Sequence, residues 1–267
     1  MNRLRRHALG GLLLAALALA GCVSAPPAQE AQARQALAPT GNLRVGVYPG
    51  SPTSLVRQPQ TQTRAGVALD LGEAMARRLN VPVQVVEFSR VAQVLDALKK
   101  GEIDVTFTNA TEARARDMDF TPPLIRLELG YLVPAGSKLQ NAQDIDQSGV
   151  RVGVSQGSSS QGVLSQRFSQ ATVEPVPDLN VAQQRLAQGE LQAFATNKGI
   201  LYELAASLPG SRVLPGRWGL EHLALAVPKG RDAGMPWLRA FAHSSQQDGV
   251  LEAAVRRSGL RGLASEQ

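Results

Sequence analysis

The chain has 267 residues, of which 43% are hydrophobic and 4% aromatic, and it carries 28 Lys and Arg against 22 Asp and Glu. This length suffices for one large domain or two smaller ones. The few aromatic residues, with no Lys/Arg cluster between them, argue against nucleic-acid binding. Because Cys22 is the only cysteine, an intrachain disulfide and a structural zinc–thiolate site are excluded.

Residues 1–22 have the pattern of a secretory signal peptide. Three arginines precede a short apolar run that ends in Leu-Ala-Gly-Cys at Cys22, and the run is too short to span a bilayer securely. The last four residues resemble a bacterial lipobox, after which the cysteine carries lipid; the alternative is a plain signal peptide with an incidental cysteine. We predict a lipoprotein of the periplasm or cell envelope that is anchored to a membrane without spanning it.

Removal of residues 1–22 would leave 25 basic against 22 acidic residues, a net charge of +3. Residues 23–41, VSAPPAQEAQARQALAPTG, are rich in Ala, Pro and Gln and have no usable hydrophobic period. This composition predicts a flexible tether between the lipid and the folded part.

A first alternation of strands and helices covers residues 43–109. A strand, LRVGVYPG, is followed by an amphipathic helix, GVALDLGEAMARRLNV, and a second strand, VQVVEF. A second helix begins near Ser89, a plausible N-cap, and ends at Gly101 before the strand IDVTFTN. The order β-α-β-α-β predicts a mostly parallel sheet with helices on its faces.

The alternation then restarts. After the strand LELGYLVPAG, a second β-α-β-α-β unit occupies about residues 150–197, and the strand EHLALAVPKG and two helices follow. Two such units and a returning strand predict two α/β lobes joined by two crossing strands, with residues 42–132 and 223–267 in lobe 1 and residues 133–222 in lobe 2. A cleft between such lobes is a favoured place for a ligand.

Six motifs in order resemble those of the extracellular solute-binding proteins that serve polar amino-acid ABC transporters. They are LRVGV, GVALDLGEAMARRL, ALKKGEIDV, TEARARDMDFTPP, VGVSQGSSS and LAQGELQAFATN. The resemblance implies a two-lobed, type II periplasmic-binding fold and a monomer without a cofactor or catalytic activity. It also implies an amino acid or similar small carboxylate as ligand and an ABC permease as partner.

The resemblance assigns the carboxylate-binding role to Arg114, which lies six residues before Phe120. A guanidinium offers two parallel donors that match a carboxylate; the alternative is a surface salt bridge. Thr108, Asn109 and Thr111 are expected to line the same wall.

From the second lobe, Ser158 and Ser159 follow Gly157 between a strand and a helix, where backbone N–H groups and hydroxyls can hold a carboxylate. The family's ammonium-binding Asp is replaced by Asn197, which offers no full charge, so a ligand with a modified amino end fits equally well. Tyr48 is expected either to stack on the ligand or to cap the first strand.

Two other classes of protein remain open. The first is an enzyme resembling cyclohexadienyl dehydratases, which would need a buried general acid; Asp70, Glu112 and Glu221 are its candidates. The second is a ligand-sensing module that signals through a separate partner. A murein-cleaving enzyme would need a catalytic domain in addition to these lobes.

Overall fold

The computed structural model describes residues 27–58 and 61–265, so the predicted signal peptide and Cys22 lie outside the described residues. The strands are β1 (Leu43–Val47), β2 (Val56–Arg57), β3 (Arg64–Ala65), β4 (Val83–Glu87), β5 (Thr106–Asn109), β6 (Met118–Phe120), β7 (Ile125–Val133), β8 (Arg151–Ser155), β9 (Thr172–Val176), β10 (Ala193–Asn197), β11 (Arg212–Val213) and β12 (Gly219–Pro228).

The helices are α1 (Pro27–Leu37), α2 (Val67–Leu79), α3 (Val91–Lys99), α4 (Glu112–Ala115), α5 (Ser159–Arg167), α6 (Leu179–Ala187), α7 (Lys198–Ala206), α8 (Met235–Gln247) and α9 (Val250–Ser258). Short 3₁₀ turns occur at Ala142–Asp144 and Asp232–Gly234.

Two long antiparallel strands, β7 and β12, cross the molecule side by side. Their register runs from Leu129 opposite Gly219 to Ile125 opposite Leu223. β12 continues along β5, while β7 continues along β10. The strand order β5-β12-β7-β10-β8-β9 therefore joins both halves of the molecule in one sheet path.

The strands of the two alternating units are parallel where they pair with each other, as the alternation predicts, whereas the short strands β2 and β3 form an antiparallel pair. β1 pairs in parallel with β4, and β8 pairs in parallel with both β9 and β10. α2 lies directly on β1, because a Cβ on Gly72 would come within 2.6 Å of Val45. Glycine at this position thus sets the distance between helix and strand.

Buried apolar side chains form separate cores on the two sides of the crossing strands. One side, which we call lobe 1, packs β1, β5, α2, α3, α8 and α9. The other, lobe 2, packs β8, β10, α5, α6 and α7. This arrangement is the two-lobed α/β fold that the sequence predicts, with β7 and β12 as the crossing strands. The predicted boundaries within β7 and β12 stay a prediction, since both strands run through both lobes without a break.

The prediction of a flexible tether is wrong for residues 27–41. Residues 27–37 form α1, and Ala33, Leu37 and Ala38 are almost completely buried in the core of lobe 1. Alanine has the highest intrinsic helix propensity. Ala33 and Leu37, one turn apart on the same face, are buried against lobe 1, as is Ala38 just after the helix. Because the segment is rich in Ala and Gln, its sequence shows no hydrophobic period that would predict this helix.

Two further details differ from the prediction. Arg90, and not Ser89, occupies the N-cap position of α3, while the Ser89 hydroxyl donates to Gln93 Oε1 at 2.8 Å. α7 was not predicted, because it begins immediately after β10 without a loop: Asn197 ends the strand and also caps the helix.

Candidate functional site

A small cavity lies between the lobes, at the carboxyl ends of several strands. Tyr48 follows β1, while Asn109, Ser155 and Asn197 end β5, β8 and β10. Since ligands of α/β proteins bind at the carboxyl ends of strands, this is the expected place for a site. The cavity is lined by Tyr48, Val91, Thr108, Asn109, Arg114, Ser155, Ser158, Ser159, Thr196, Asn197, Ile200, Glu221 and Leu223.

The cavity has a volume of about 30 Å³, which is enough to hold at least one water molecule.

Arg114 points into the site from the short helix α4. Thr111 caps this helix by accepting a hydrogen bond from the Arg114 backbone N–H. Arg114 Nη1 donates to Thr108 Oγ1 at 2.8 Å and to the Asn109 carbonyl at 3.2 Å. Among the described residues, Nε and Nη2 donate to no group and no carboxylate lies within ion-pair distance of Arg114. The alternative role of Arg114, a surface salt bridge, is therefore not observed.

Burial lowers the pKa of the Arg114 guanidinium, while nearby Glu221 and Tyr48 oppose that shift. Arginine nevertheless keeps its proton in proteins, because its intrinsic pKa is so high. The site thus contains a partly buried positive charge with two unused donor nitrogens. This combination is suited to a carboxylate.

The Ser158–Ser159 turn enters the site from lobe 2. Ser158 caps α5, its hydroxyl accepting from the Gln161 N–H at 3.2 Å. The Ser159 hydroxyl accepts from Asn109 Nδ2 at 3.1 Å and donates to Glu221 Oε1 at 3.3 Å. Ser159 therefore links β5 of lobe 1 to the crossing strand β12.

Glu221 is the acidic residue of the cavity. Its side chain comes from β12, and the residue is only 8% exposed. Asn197 Nδ2 donates to Glu221 Oε2 at 3.0 Å, while Asn197 Oδ1 accepts from the Ile200 N–H and caps α7. The cap fixes which end of the amide faces Glu221. Burial raises the pKa of Glu221, and Arg114, Asn197 and Ser159 act in the opposite direction.

Tyr48 lies on the lobe 1 wall of the cavity. Burial raises the pKa of its phenol, and hydrogen bonds with Ser51 and Thr53 moderate the shift. The phenol therefore stays neutral. Its backbone N–H donates to Ser54 Oγ at 2.8 Å, which holds the turn after β1.

The structure brings together all the predicted ligand-binding residues except Thr111, which caps α4 behind the cavity wall. Their contribution to ligand binding stays a prediction. Sequence reasoning named Glu221 only as a candidate general acid of the cleft, and it did not place Val91, Ser155 or Thr196 in the ligand site. A signal for Glu221 exists: it is an acid in the otherwise apolar strand β12, on the face opposite His222.

The three candidate general acids lie in different places. Glu221 lines the cavity, but Glu112 is exposed on α4. Asp70 is buried against α9, where Arg257 Nη2 lies 3.5 Å from its Oδ1. His222 is exposed, and its backbone N–H donates to Asn109 Oδ1.

Within residues 27–58 and 61–265, no group of three or more His, Cys, Asp and Glu side chains is arranged to hold a metal ion. No helix in the same part of the chain has the length and apolar character needed to cross a membrane.

Comparison with known proteins identifies the family. The model of the bacterial extracellular solute-binding proteins, family 3, matches residues 43–258. Membrane-bound lytic murein transglycosylase F of Shewanella sp. (strain ANA-3) is 30% identical over 225 residues, covering 79% of this chain and 45% of that protein. The chain thus spans less than half the length of this relative. The ABC transporter glutamine-binding protein GlnH of Bacillus subtilis (strain 168) is 23% identical over 198 residues, covering 73% of this chain and 72% of that protein.

Solved structures share the fold. An ancestral arginine-binding protein bound to glutamine superposes with a TM-score of 0.73 at 23% identity, covering 81% of this chain and 97% of that chain. The ancestral amino acid-binding protein AncCDT-1, a precursor of cyclohexadienyl dehydratase, superposes with a TM-score of 0.71 at 22% identity. The match covers 83% of this chain and 96% of that chain. Because the family model spans nearly all of both lobes, this chain belongs to the bacterial extracellular solute-binding proteins, family 3.

Proposed function

We propose that this protein binds an amino acid, or a related small polar carboxylate, in the cavity between its lobes. Arg114 carries the proposal: Thr108 and Asn109 hold its Nη1, while Nε and Nη2 make no hydrogen bond within the described residues. A ligand carboxylate would accept from these nitrogens. Ser159 and the N-terminal turn of α5 would contact the ligand from the other lobe, so that one molecule bridges both lobes.

The bound ligand would be delivered to an ABC permease. A glutamine-binding protein of an ABC transporter is among the relatives, and lobe closure about crossing strands would give the permease a ligand-dependent shape to recognise. We further propose that Cys22 is acylated and anchors the protein in the cell envelope. Cys22→Ser should then move the protein from the membrane fraction to the soluble envelope fraction; unchanged fractionation would contradict the anchor.

Arg114→Ala tests the ligand site. A panel of amino acids with their keto, hydroxy and N-modified analogues is screened against the purified protein by thermal shift, since a ligand at 100 times its Kd adds about 2.7 kcal/mol of stability. Each hydrogen bond to a charged group contributes about 1.5–3 kcal/mol, so Arg114→Ala should weaken binding at least about tenfold. The unfolding midpoint of the ligand-free variant should change little.

The matched control is Arg116→Ala, which removes an exposed arginine two positions along the chain and should leave affinity unchanged. Retention of full affinity by Arg114→Ala, together with a large loss of stability, would show that Arg114 is structural and would refute its role in binding.

A second candidate function is recognition of murein fragments. The 30% identity to a lytic murein transglycosylase favours it. Murein-derived peptides also carry carboxylate and ammonium groups, so they belong in the same screen. A thermal shift with murein peptides but not with free amino acids would favour this second function.

We propose that the cleft binds without catalysis. Elimination from a cyclohexadienyl carboxylate would need a protonated acid directed at the leaving hydroxyl, whereas the two Glu221 oxygens face Ser159 and Asn197 in this structure. Turnover of such a substrate by the purified protein would overturn this part of the proposal.

A further inference from the structure

The cavity contains a carboxylate in a position that the sequence comparison does not predict. At the end of β10 the resemblance expects an acid, and the chain has Asn197 instead. In the structure the Asn197 amide contacts Glu221, which comes from β12 on the other side of β7. A negative charge is therefore present beside the expected position, although another strand carries it.

The surroundings of Glu221 leave its charge without a cationic partner. Its oxygens accept from a hydroxyl and an amide, both neutral. Among the described residues no Lys, Arg or His lies within ion-pair distance of it, and Glu221 is more than nine-tenths buried. A buried carboxylate without a cation is costly, whereas a positive group that arrives next to it is strongly favoured.

We propose that Glu221 is the ammonium-recognising residue of this cleft, and that Asn197 is a positioning residue that holds its carboxylate in place. This assignment rests on the proposed function and narrows the ligand to α-amino acids with a free ammonium group. Arg114 would hold the carboxylate end and Glu221 the ammonium end of one zwitterion. Replacement of the family's Asp by Asn197 then moves the charge to β12 and does not remove it.

The same arrangement connects ligand binding to the contact between lobes. Glu221 bonds Ser159 at the start of α5 and Asn197 at the start of α7, both in lobe 2. Ser159 in turn bonds Asn109 of lobe 1. A ligand ammonium at Glu221 would therefore be surrounded by polar groups from both lobes, which close around it.

Matched ligand pairs separate the ammonium from the carboxylate. L-alanine is compared with L-lactate, and L-glutamine and L-arginine with their 2-hydroxy analogues, because each pair differs only in the ammonium group. Affinities are measured by titration calorimetry for the wild-type protein, Glu221→Gln, Glu221→Asp and the exposed control Glu112→Gln.

For the pair that binds the wild-type protein best, the amino acid should bind about 10- to 100-fold more tightly than the hydroxy acid. Glu221→Gln should lose most of this preference, because its affinity for the amino acid should fall much more than its affinity for the hydroxy acid. Glu221→Asp should recover part of it, and Glu112→Gln should behave as wild type.

Three results would overturn the assignment. An undiminished preference for the amino acid in Glu221→Gln would overturn it and leave the proposed function standing. Equal affinity of the wild-type protein for the amino acid and the hydroxy acid would also overturn the assignment and leave the proposed function standing. This result does not depend on whether the variants fold. Failure of the wild-type protein to bind any of these compounds, or any compound of the wider thermal-shift panel, would overturn the proposed function and the assignment together.

Discussion

Arg114 and Glu221 provide opposite charges in the cavity without forming an ion pair. Neutral groups hold each of them: Thr108 and Asn109 bond the guanidinium, while Ser159 and Asn197 bond the carboxylate. Because the two charges stay apart, each remains available to a charged group of opposite sign. A zwitterion satisfies both at once, whereas a simple carboxylate satisfies only Arg114.

The raised pKa of Glu221 predicts how binding depends on pH. Burial is the largest cause of this shift, so Glu221 takes up a proton at a higher pH than an ordinary glutamate. A protonated Glu221 has no charge to offer an ammonium group. Affinity for an α-amino acid should therefore fall as the pH is lowered towards the ordinary glutamate pKa of 4.5, before that value is reached, and Glu221→Gln should abolish this dependence.

Calorimetric titrations across this pH range with L-glutamine and its 2-hydroxy analogue check the prediction. The hydroxy acid should not show the decline, because it does not use the charge of Glu221. A decline of equal size for both compounds would place the titrating group elsewhere.

At the scale of elements, the contact between α2 and α9 contains an unusual buried charge. Asp70 lies in the first turn of α2, is 7% exposed, and neither of its carboxylate oxygens accepts a hydrogen bond within the described residues. Arg257 of α9 is its ion-pair partner at 3.5 Å. Burial outweighs this attraction and raises the pKa of Asp70 to about 6.

Asp70 should therefore make stability decrease with rising pH. The folded-state pKa lies above the ordinary value of 3.8, so the folded protein holds more protons than the unfolded chain between these values. The stability that protonated Asp70 contributes is fully present below pH 3.8 and is lost as the pH rises through about 6.

Asp70→Asn should remove this dependence and increase the free energy of unfolding at pH 7.5 by about 1–3 kcal/mol. Urea denaturation at pH 5 and pH 7.5 measures both effects. The control, Asp96→Asn, changes an exposed residue of α3 and should leave the pH profile as in wild type. A variant that is destabilised equally at both pH values would contradict the prediction.

The sequence predicts the two alternating α/β units because their strands and helices differ in hydrophobic period and are separated by Gly and Pro. It does not predict α1 or α7. α1 buries only a few small side chains within a polar, Ala-rich segment, and α7 follows β10 with no intervening loop. In both cases the information lies in tertiary contacts that no local pattern reveals.

The same distinction holds within the site. Arg114 and the serine turn can be found from the sequence because each lies in a motif at a strand or helix end. Glu221 can be named from the sequence as a candidate acid, but its contact with Asn197 cannot, because that contact depends on how β12 and β10 both neighbour β7 in the sheet. Spacing along the chain, 24 residues in this case, carries no information about that order.

At the scale of the whole molecule, the lobes meet at two places where there is little room for a side chain. A Cβ on Gly157 of lobe 2 would come within 2.7 Å of the Ala92 methyl group of lobe 1, and one on Gly50 would come within 2.9 Å of Leu179. Both glycines have positive φ angles as well. Close approach of the lobes thus depends on small residues at these two contacts.

Ala92→Leu should hinder closure without disturbing either core. The added side chain would occupy the space against Gly157, so ligand affinity should fall about tenfold or more if closure is worth at least 1.4 kcal/mol. Small-angle scattering should show a radius of gyration at ligand saturation larger than that of the wild-type complex. Unfolding of the ligand-free variant should be nearly unchanged.

The matched control, Ala187→Leu, adds the same group on the exposed end of α6. It should leave both affinity and radius of gyration at wild-type values. If Ala92→Leu has the wild-type affinity and radius of gyration at ligand saturation, closure of the lobes does not require the tight contact between Ala92 and Gly157.

Trp218 gives the protein a built-in optical probe. It immediately precedes β12, and its indole N–H donates to the Gly130 carbonyl of β7 at 2.9 Å, while Arg167 lies 5.4 Å from the ring centroid. The other tryptophan, Trp237, stacks on Phe241 in α8. Trp218 packs against the core of lobe 2 and Trp237 against the core of lobe 1, so each tryptophan reports on a different lobe. In a Trp237→Phe protein, the remaining fluorescence would therefore follow the unfolding of lobe 2 separately from that of lobe 1.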